Sequence, residues 1–132
     1  MSNSIKVAVA GLGNVGVGVL KILQDHKELI AERAGRTIEI VAVSARSKDK
    51  NRDVDVSQYK WADSLSDMAQ DSELDAVVEV IGGSEGLVKD FVIEAIKNGK
   101  HVITANKALL AHHGVDLSQL AEENNVTIAY EA

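Results

Sequence analysis

The sequence predicts an α/β fold in which helices cover both faces of a mostly parallel sheet. One observation is that an apolar strand pattern over residues 5–10 leads directly into a glycine-rich turn and then into a helical pattern. Another is that strand and helical patterns alternate from there onward, which is typical of βαβ units. The 132 residues and 45% hydrophobic content suit one domain, residues 1–132, with a two-layer or three-layer core.

The glycine-rich turn, Gly11-Leu12-Gly13-Asn14-Val15-Gly16, has the pattern G-x-G-x-x-G. In this pattern the first glycine allows the chain to turn, the second lets a pyrophosphate approach the backbone, and the third lets the helix pack closely. The amides and the positive dipole end of the helix then face the phosphates. The pattern therefore predicts a Rossmann-type domain that binds a dinucleotide. The alternative is a tight strand–helix connection that binds no ligand.

The other elements follow from the spacing of apolar residues. Helical spacing continues to about Arg33, and β-branched residues at 37–44 predict the second strand. Later patterns predict a short strand or an irregular edge at 59–61, followed by a short helix capped by Asp63 or Ser64. They also predict a strand at 75–81, a helix ending at Asn98-Gly99, and strands at 100–104 and 126–130.

Between the last two strands, the sequence predicts two helices rather than one. Residues 106–112 are typical of one or two helical turns, and Gly114 is expected to break them. Asp116 and Gln119 then form the pattern of a capping box, which predicts the start of a second helix.

The composition argues against several classes of protein and site. A net charge of -6 does not suit a general nucleic-acid-binding protein, which would present a basic face. The chain has no cysteine, which excludes disulfides and thiolate metal sites. No apolar run reaches the length of a membrane span and the first residues lack a signal-peptide core, so we expect a cytoplasmic protein with no membrane partner.

Ligands of open parallel sheets bind at the carboxyl ends of the strands. The predicted ends are residues 11–16, 44–46, 82–84 and 104–107. Lys107 stands in the first turn of a helix, where a cation opposes the helix dipole. An anionic cofactor, a carboxylate substrate or proton transfer would each compensate for that position, and a surface lysine is the alternative.

The second strand end bears on the choice of dinucleotide. No acidic residue follows Ser44 directly to bind the ribose 2′-hydroxyl of NAD. Arg46, backed by Lys48, Lys50 or Arg52, could instead hold the 2′-phosphate of NADP. We therefore favour NADP over NAD, or the use of both. A solvated basic loop is the alternative.

Several stretches together resemble the N-terminal NAD(P)-binding part of homoserine dehydrogenases. They are the glycine-rich turn, Glu79-Val80-Ile81-Gly82-Gly83, residues 99–111 (GKHVITANKALLA) and Tyr130-Glu131-Ala132. The resemblance covers essentially the whole chain, and residues 99–111 are specific to that family. It implies an oxidoreductase that reduces L-aspartate 4-semialdehyde to L-homoserine with NADPH or NADH, on the route to threonine, methionine and isoleucine.

The resemblance also implies roles for individual residues. Gly11, Leu12, Gly13, Asn14, Val15 and Gly16 would bind the pyrophosphate, Arg46 the adenosine ribose or its phosphate, and Gly82 and Thr104 the nicotinamide side. Lys107 would lie near cofactor and substrate and act in catalysis. Glu131 would help to hold a monovalent cation such as Na⁺ in the complete enzyme.

The chain departs from the family in two respects. Ser84-Glu85-Gly86 stands where the family often has Pro-Ala after the two glycines. Family members also continue with a dimerisation and substrate domain, which this sequence lacks. We expect the chain alone to bind cofactor weakly, to be catalytically incomplete, and to self-associate through apolar surface near Ile128 and Tyr130; the intact enzyme is expected to be a homo-oligomer.

Two other interpretations stay open at this point. The chain could be the front half of a different amino-acid or semialdehyde dehydrogenase, which would share the same cofactor-binding residues. It could also be a stand-alone NAD(P)-sensing domain without catalytic activity.

Overall fold

The computed structural model describes residues 4–12, 14–25, 32, 37–44, 57–81 and 86–130. Six parallel strands form one sheet in the order β3-β2-β1-β4-β5-β6. The strands are β1 (Ile5–Ala10), β2 (Ile38–Ser44), β3 (Lys60–Trp61), β4 (Ala76–Glu79), β5 (His101–Thr104) and β6 (Ile128–Tyr130), and the helices are α1 (Asn14–Asp25), α2 (Leu65–Gln70), α3 (Leu87–Lys97) and α4 (Lys107–Glu123). This strand order is the Rossmann order, so the predicted fold class is confirmed.

The core is divided between the two faces of the sheet because successive side chains of a strand point to opposite sides. On one face, Val77 and Val102 pack in a cluster with the fully buried Phe91 of α3. On the other face, Val9 and Val43 pack in a cluster with Leu20 of α1. We call these the α3 face and the α1 face. Helices therefore cover both sides of the sheet, as predicted.

The described residues test only part of the expectation that apolar surface is exposed near Ile128 and Tyr130. Ile128 is half-buried and packs against the core of the α3 face. The exposed apolar residues are Ile103, at 42% exposure, and its strand partner Ala129. The side chain of Tyr130 is outside the described part of the chain, and self-association stays a prediction.

The predicted helix break at Gly114 is wrong. Residues 107–123 form the single helix α4, which passes through both Gly114 and Asp116. Leu109 and Leu117 are buried about two helical turns apart, and Ala121 is buried about one turn further on. They therefore form one continuous apolar stripe that packs against the core. A glycine inside a helix costs about 1 kcal/mol, and burial of that stripe offsets the cost.

Other predicted element ends are confirmed. Ser64, one of the two predicted caps, accepts a hydrogen bond on its side chain from the amide of Asp67 at 3.0 Å and starts α2. Asn98 ends α3, and Gly99 follows with φ +79. The expected continuation of the first helix to Arg33 lies outside the described residues except for residue 32, which is helical, and the basic segment that carries Arg46 also lies outside them.

Lys100 is a buried cation at the amino end of β5, with 3% of its surface exposed. Burial lowers the pKa of its ammonium below the ordinary value of 10.5, although Asp71 and Asp75 act in the opposite direction. Below the lowered pKa, the folded and unfolded chains both carry the proton, so the burial cost is present in full. As pH rises from there towards 10.5, the folded chain loses its proton first, and the free energy of unfolding therefore rises.

Replacing Lys100 by methionine is expected to increase the free energy of unfolding by about 1 kcal/mol at neutral pH, because the desolvated charge is removed while an apolar stem remains. The stability gain should shrink as pH approaches 10.5. Urea denaturation of both proteins across this range measures the effect. Lys97→Met, at an exposed lysine, is the matched control and should change stability by less than about 0.5 kcal/mol. A destabilised Lys100→Met protein would show that the carboxylates outweigh the burial.

Among the described residues, no helix is both long and apolar enough to cross a membrane.

Candidate functional site

The glycine-rich turn lies where the strand order reverses, between β1 and β4. Gly11 has φ +105, a conformation that residues with a side chain rarely adopt. A Cβ at this position would lie 2.9 Å from the carbonyl oxygen of Val80, so the turn packs directly on the chain that leaves β4. The backbone amide of Gly11 also donates to the carbonyl of Ser44 at 2.8 Å. The first glycine is therefore required by both its backbone angle and its surroundings.

Gly16 is buried beneath the same turn. A Cβ at Gly16 would lie 1.9 Å from the carbonyl oxygen of Gly11 and 3.3 Å from a methyl group of Val80. The sequence motif attributes this glycine to close packing of helix on strand. In this chain its tightest contact is with the first glycine, so α1 starts directly against the turn that precedes it.

In the middle of the glycine-rich turn, Leu12 is the one residue whose burial the structure describes. Leu12 is buried and packs in the cluster of the α1 face, so only its main-chain groups could contact a cofactor. Gly13 and the side chains of Asn14 and Val15 are outside the description, although α1 begins at Asn14. The cofactor contacts of this segment stay predictions.

A buried polar network joins the ends of β4 and β5, and the sequence argument did not identify it. Glu79 and Thr104 face each other across the two strands, and the hydroxyl of Thr104 donates to Oε2 of Glu79 at 2.7 Å. The other carboxylate oxygen of Glu79, Oε1, accepts from the amide of Ile81 at 2.6 Å. Glu79 and Thr104 are both buried. The one available signal was an acidic residue inside the otherwise apolar strand sequence AVVEVI.

The hydroxyl of Thr104 also receives a bond from the turn that follows it. Its Oγ1 accepts from the amide of Asn106 at 2.9 Å while its proton goes to Glu79. The hydroxyl is thus occupied by contacts within the protein. The predicted place of Thr104 on the nicotinamide side therefore concerns its main chain and immediate neighbours rather than its hydroxyl.

Lys107 is the first residue of α4 and is exposed. Asn106 precedes it as the N-cap, and the side-chain oxygen of Asn106 accepts from the amide of Leu109 at 2.9 Å. The sequence predicted the cation in the first turn of a helix, and the Asn106 cap is a feature that the structure adds. Its catalytic role is a prediction that the geometry permits, since the ammonium is accessible at the ligand-binding edge of the sheet.

The described residues place the turn, the end of β4 and the start of α4 along one edge of the sheet. Hydrogen bonds connect these parts directly, because the amide of Val80 donates to the carbonyl of Ala10 at 3.0 Å and Glu79 binds Thr104. Of the other predicted site residues, Arg46, Gly82 and Glu131 lie outside the description, and their roles stay predictions. Over the described ranges, no group of three or more His, Cys, Asp or Glu side chains could hold a metal ion.

Sequence and structure comparisons give a consistent assignment. The family described as "Homoserine dehydrogenase, NAD binding domain" matches residues 11–131. The homoserine dehydrogenase of Pseudomonas aeruginosa is 44% identical over 97% of this chain and 29% of that protein, and the one from Bacillus subtilis is 39% identical over 98% of this chain and 30% of that protein. A crystal structure of Staphylococcus aureus homoserine dehydrogenase at pH 7.5 superposes with a TM-score of 0.90 at 40% identity, covering 99% of this chain and 32% of that one. The chain thus spans less than a third of the length of these relatives.

Proposed function

This chain belongs to the homoserine dehydrogenase family, and we propose that it forms the NAD(P)-binding part of an enzyme that interconverts L-aspartate 4-semialdehyde and L-homoserine. The observation that carries the proposal is the pair Gly11 and Gly16. Neither position has room for a Cβ, and the turn between them lies where the strand order reverses. Sheets of this order bind dinucleotides at that point.

The residues of the turn suit a pyrophosphate. The carbonyl of Gly11 packs against α1, so the start of the turn is compact. The helix α1 begins within the motif, and its dipole is therefore directed at the turn. A protein with net charge -6 can still bind phosphates there, because main-chain amides and a helix dipole provide a local positive potential. A bound nicotinamide dinucleotide supplies or accepts the hydride of the reaction.

For Lys107, we propose the role of proton donor to the aldehyde oxygen during reduction, and of proton acceptor in the reverse direction. Its place in the first turn of α4 keeps the stem attached to a capped helix while the ammonium reaches solvent. Glu131 is proposed to help hold a monovalent cation. Gly82 and Thr104 are proposed to border the nicotinamide. A second copy of the enzyme is proposed to complete a homo-oligomer. Family resemblance supports these roles.

NADP is proposed as the preferred cofactor over NAD, because Arg46 closely follows Ser44, the end of β2, with no acidic residue between them. Arg46→Ala is expected to weaken NADPH binding by about tenfold or more, the loss typical of one charge-assisted hydrogen bond to a phosphate. NADH affinity should change by less than about twofold, because NADH has no 2′-phosphate. Titration of each variant by nicotinamide fluorescence gives both dissociation constants.

A matched control is Lys97→Ala, which removes one positive charge from the last turn of α3. It should leave both affinities unchanged. No change in either affinity on Arg46→Ala would assign Arg46 to a solvated loop, and equal weakening of NADPH and NADH would assign it to the adenosine part that both share rather than to the 2′-phosphate. A wild-type chain that binds neither dinucleotide would overturn the proposed function itself.

A further inference from the structure

Glu79 is a completely buried carboxylate in the middle of the sheet, at the last position of β4. Burial of a charge is costly unless hydrogen bonds compensate it. Both carboxylate oxygens have such a bond, from the amide of Ile81 to Oε1 at 2.6 Å and from the hydroxyl of Thr104 to Oε2 at 2.7 Å. These two groups act as donors, which suits a carboxylate that only accepts.

The contacts of Glu79 continue to the start of α4. Thr104 donates to Glu79 and accepts from the amide of Asn106 at 2.9 Å. Asn106 in turn accepts from the amide of Leu109 at 2.9 Å and thereby caps the helix that begins at Lys107. The main-chain carbonyl of Glu79 also accepts from the amide of Ala105 at 3.4 Å. Both the backbone and the side chain of Glu79 thus bind the segment between β5 and α4.

The same carboxylate reaches the other side of the site. Ile81, whose amide it binds, directly precedes Gly82 and Gly83, and the intervening Val80 packs on Gly11. One buried group therefore sets the relative position of two segments at the ligand-binding edge of the sheet, the exit from β4 and the start of α4.

We propose that Glu79 is a positioning residue for the dehydrogenase reaction, acting through Thr104 and Asn106 to fix the first turn of α4 and with it Lys107. This inference rests on the proposed function, since it concerns the reaction in which Lys107 takes part. Glu79 itself touches neither cofactor nor substrate in this role. Its contribution is to hold the stem of Lys107 at a constant place relative to the glycine-rich turn.

The substitution Glu79→Gln changes the hydrogen-bonding pattern of the side chain and keeps its size. A carboxylate accepts on both oxygens, whereas a glutamine amide must present its NH₂ to one of the two donors. Because the backbone amide of Ile81 can only donate, the glutamine oxygen is expected to stay with it and the NH₂ to face Thr104, whose hydroxyl then loses its acceptor. Glu39→Gln is the matched control, because it makes the same chemical change at an exposed position of β2.

The first experiment measures amide hydrogen exchange in the chain without cofactor. In Glu79→Gln, the amides of Asn106 and Leu109 are expected to exchange about tenfold faster. The amides of Ile5 and Val126, bonded to Thr37 and Ala121, should keep their wild-type rates. Uniform acceleration of all four amides would indicate a general loss of stability and overturn the proposal, and unchanged exchange at Asn106 and Leu109 would do the same.

The second experiment measures catalysis after this chain replaces the matching segment of the Pseudomonas aeruginosa relative. Glu79→Gln should lower kcat for homoserine oxidation by about tenfold, but by less than about twofold when Lys107→Gln is already present, because groups that act as a unit are not additive. Equal losses in both backgrounds would overturn the inference. An inactive wild-type graft would instead contradict the proposed function, and the exchange experiment would still decide whether Glu79 fixes the start of α4.

Discussion

Gly16→Ala is expected to unfold or severely weaken the glycine-rich turn and to abolish measurable NADPH binding. The added Cβ would lie 1.9 Å from the carbonyl oxygen of Gly11, far inside van der Waals contact, and the obstacle is backbone that cannot rotate away. Overpacking of a well-packed site costs 1–3 kcal/mol and occasionally more, so we expect a loss of about 3 kcal/mol in the free energy of unfolding. Chemical denaturation and a fluorescence titration with NADPH measure the two effects.

Gly18→Ala is the matched control in the same helix. Among the described residues, and apart from its chain neighbours and the local helix backbone, no atom lies within 4 Å of a Cβ placed at Gly18, so packing against them does not require this glycine. Because alanine is the better helix former, the substitution should stabilise the chain by about 1 kcal/mol and leave NADPH affinity unchanged. A Gly16→Ala protein of normal stability and affinity would contradict the tight start of α1. A stable Gly18→Ala protein with lost affinity would show that the cofactor approaches that position.

Lys107→Gln is expected to lower the rate of homoserine-dependent NADP⁺ reduction by about 10²- to 10⁴-fold, the usual contribution of a positioned general acid or base. The variant should also be slightly more stable, by about 0.3–1 kcal/mol, because a cation leaves the first turn of α4. Steady-state rates of the wild-type and variant graft in the Pseudomonas aeruginosa relative measure the first effect. Thermal unfolding of the chain measures the second.

The control for Lys107 is Lys97→Gln, which removes an exposed lysine from the last turn of α3. Its rate should equal that of the unmodified graft, and its stability should fall slightly because a cation favours a helix C-terminus. A Lys107→Gln enzyme with a rate within about threefold of wild type would make Lys107 a surface lysine and leave proton transfer to another group.

The sequence was sufficient to predict the fold, and it brought the candidate site residues to one edge of the sheet. The G-x-G-x-x-G pattern between a strand and a helix predicted the turn, and alternation of strand and helical patterns predicted the Rossmann order. These features are local, so they can be read from neighbouring residues. The position of Lys107 at the start of a helix was predicted for the same reason. The strand pattern that ends at Thr104 and the helical pattern that begins at Asn106 are both local to it.

What the sequence argument missed depends on register and packing. Glu79 and Thr104 are 25 residues apart, and only the pairing of β4 with β5 brings them together. The break expected at Gly114 failed because local helix propensity was weaker than the buried stripe on α4. The steric reason for Gly16 also required coordinates, since the motif does not reveal that the carbonyl of Gly11 lies beneath it.

The central place of β1 has a consequence for synthesis of the chain. β1 is made first but lies between β2 and β4, and Val7 pairs with Ile40 on one side and with Ala76 on the other. As the chain leaves the ribosome, the edge of β1 that faces β4 therefore stays unpaired until Ala76–Glu79 has appeared. An unpaired apolar edge invites pairing with other chains. The interval between the completion of β2 and the arrival of β4 is thus the stage at which β1 has one partner strand and one open edge.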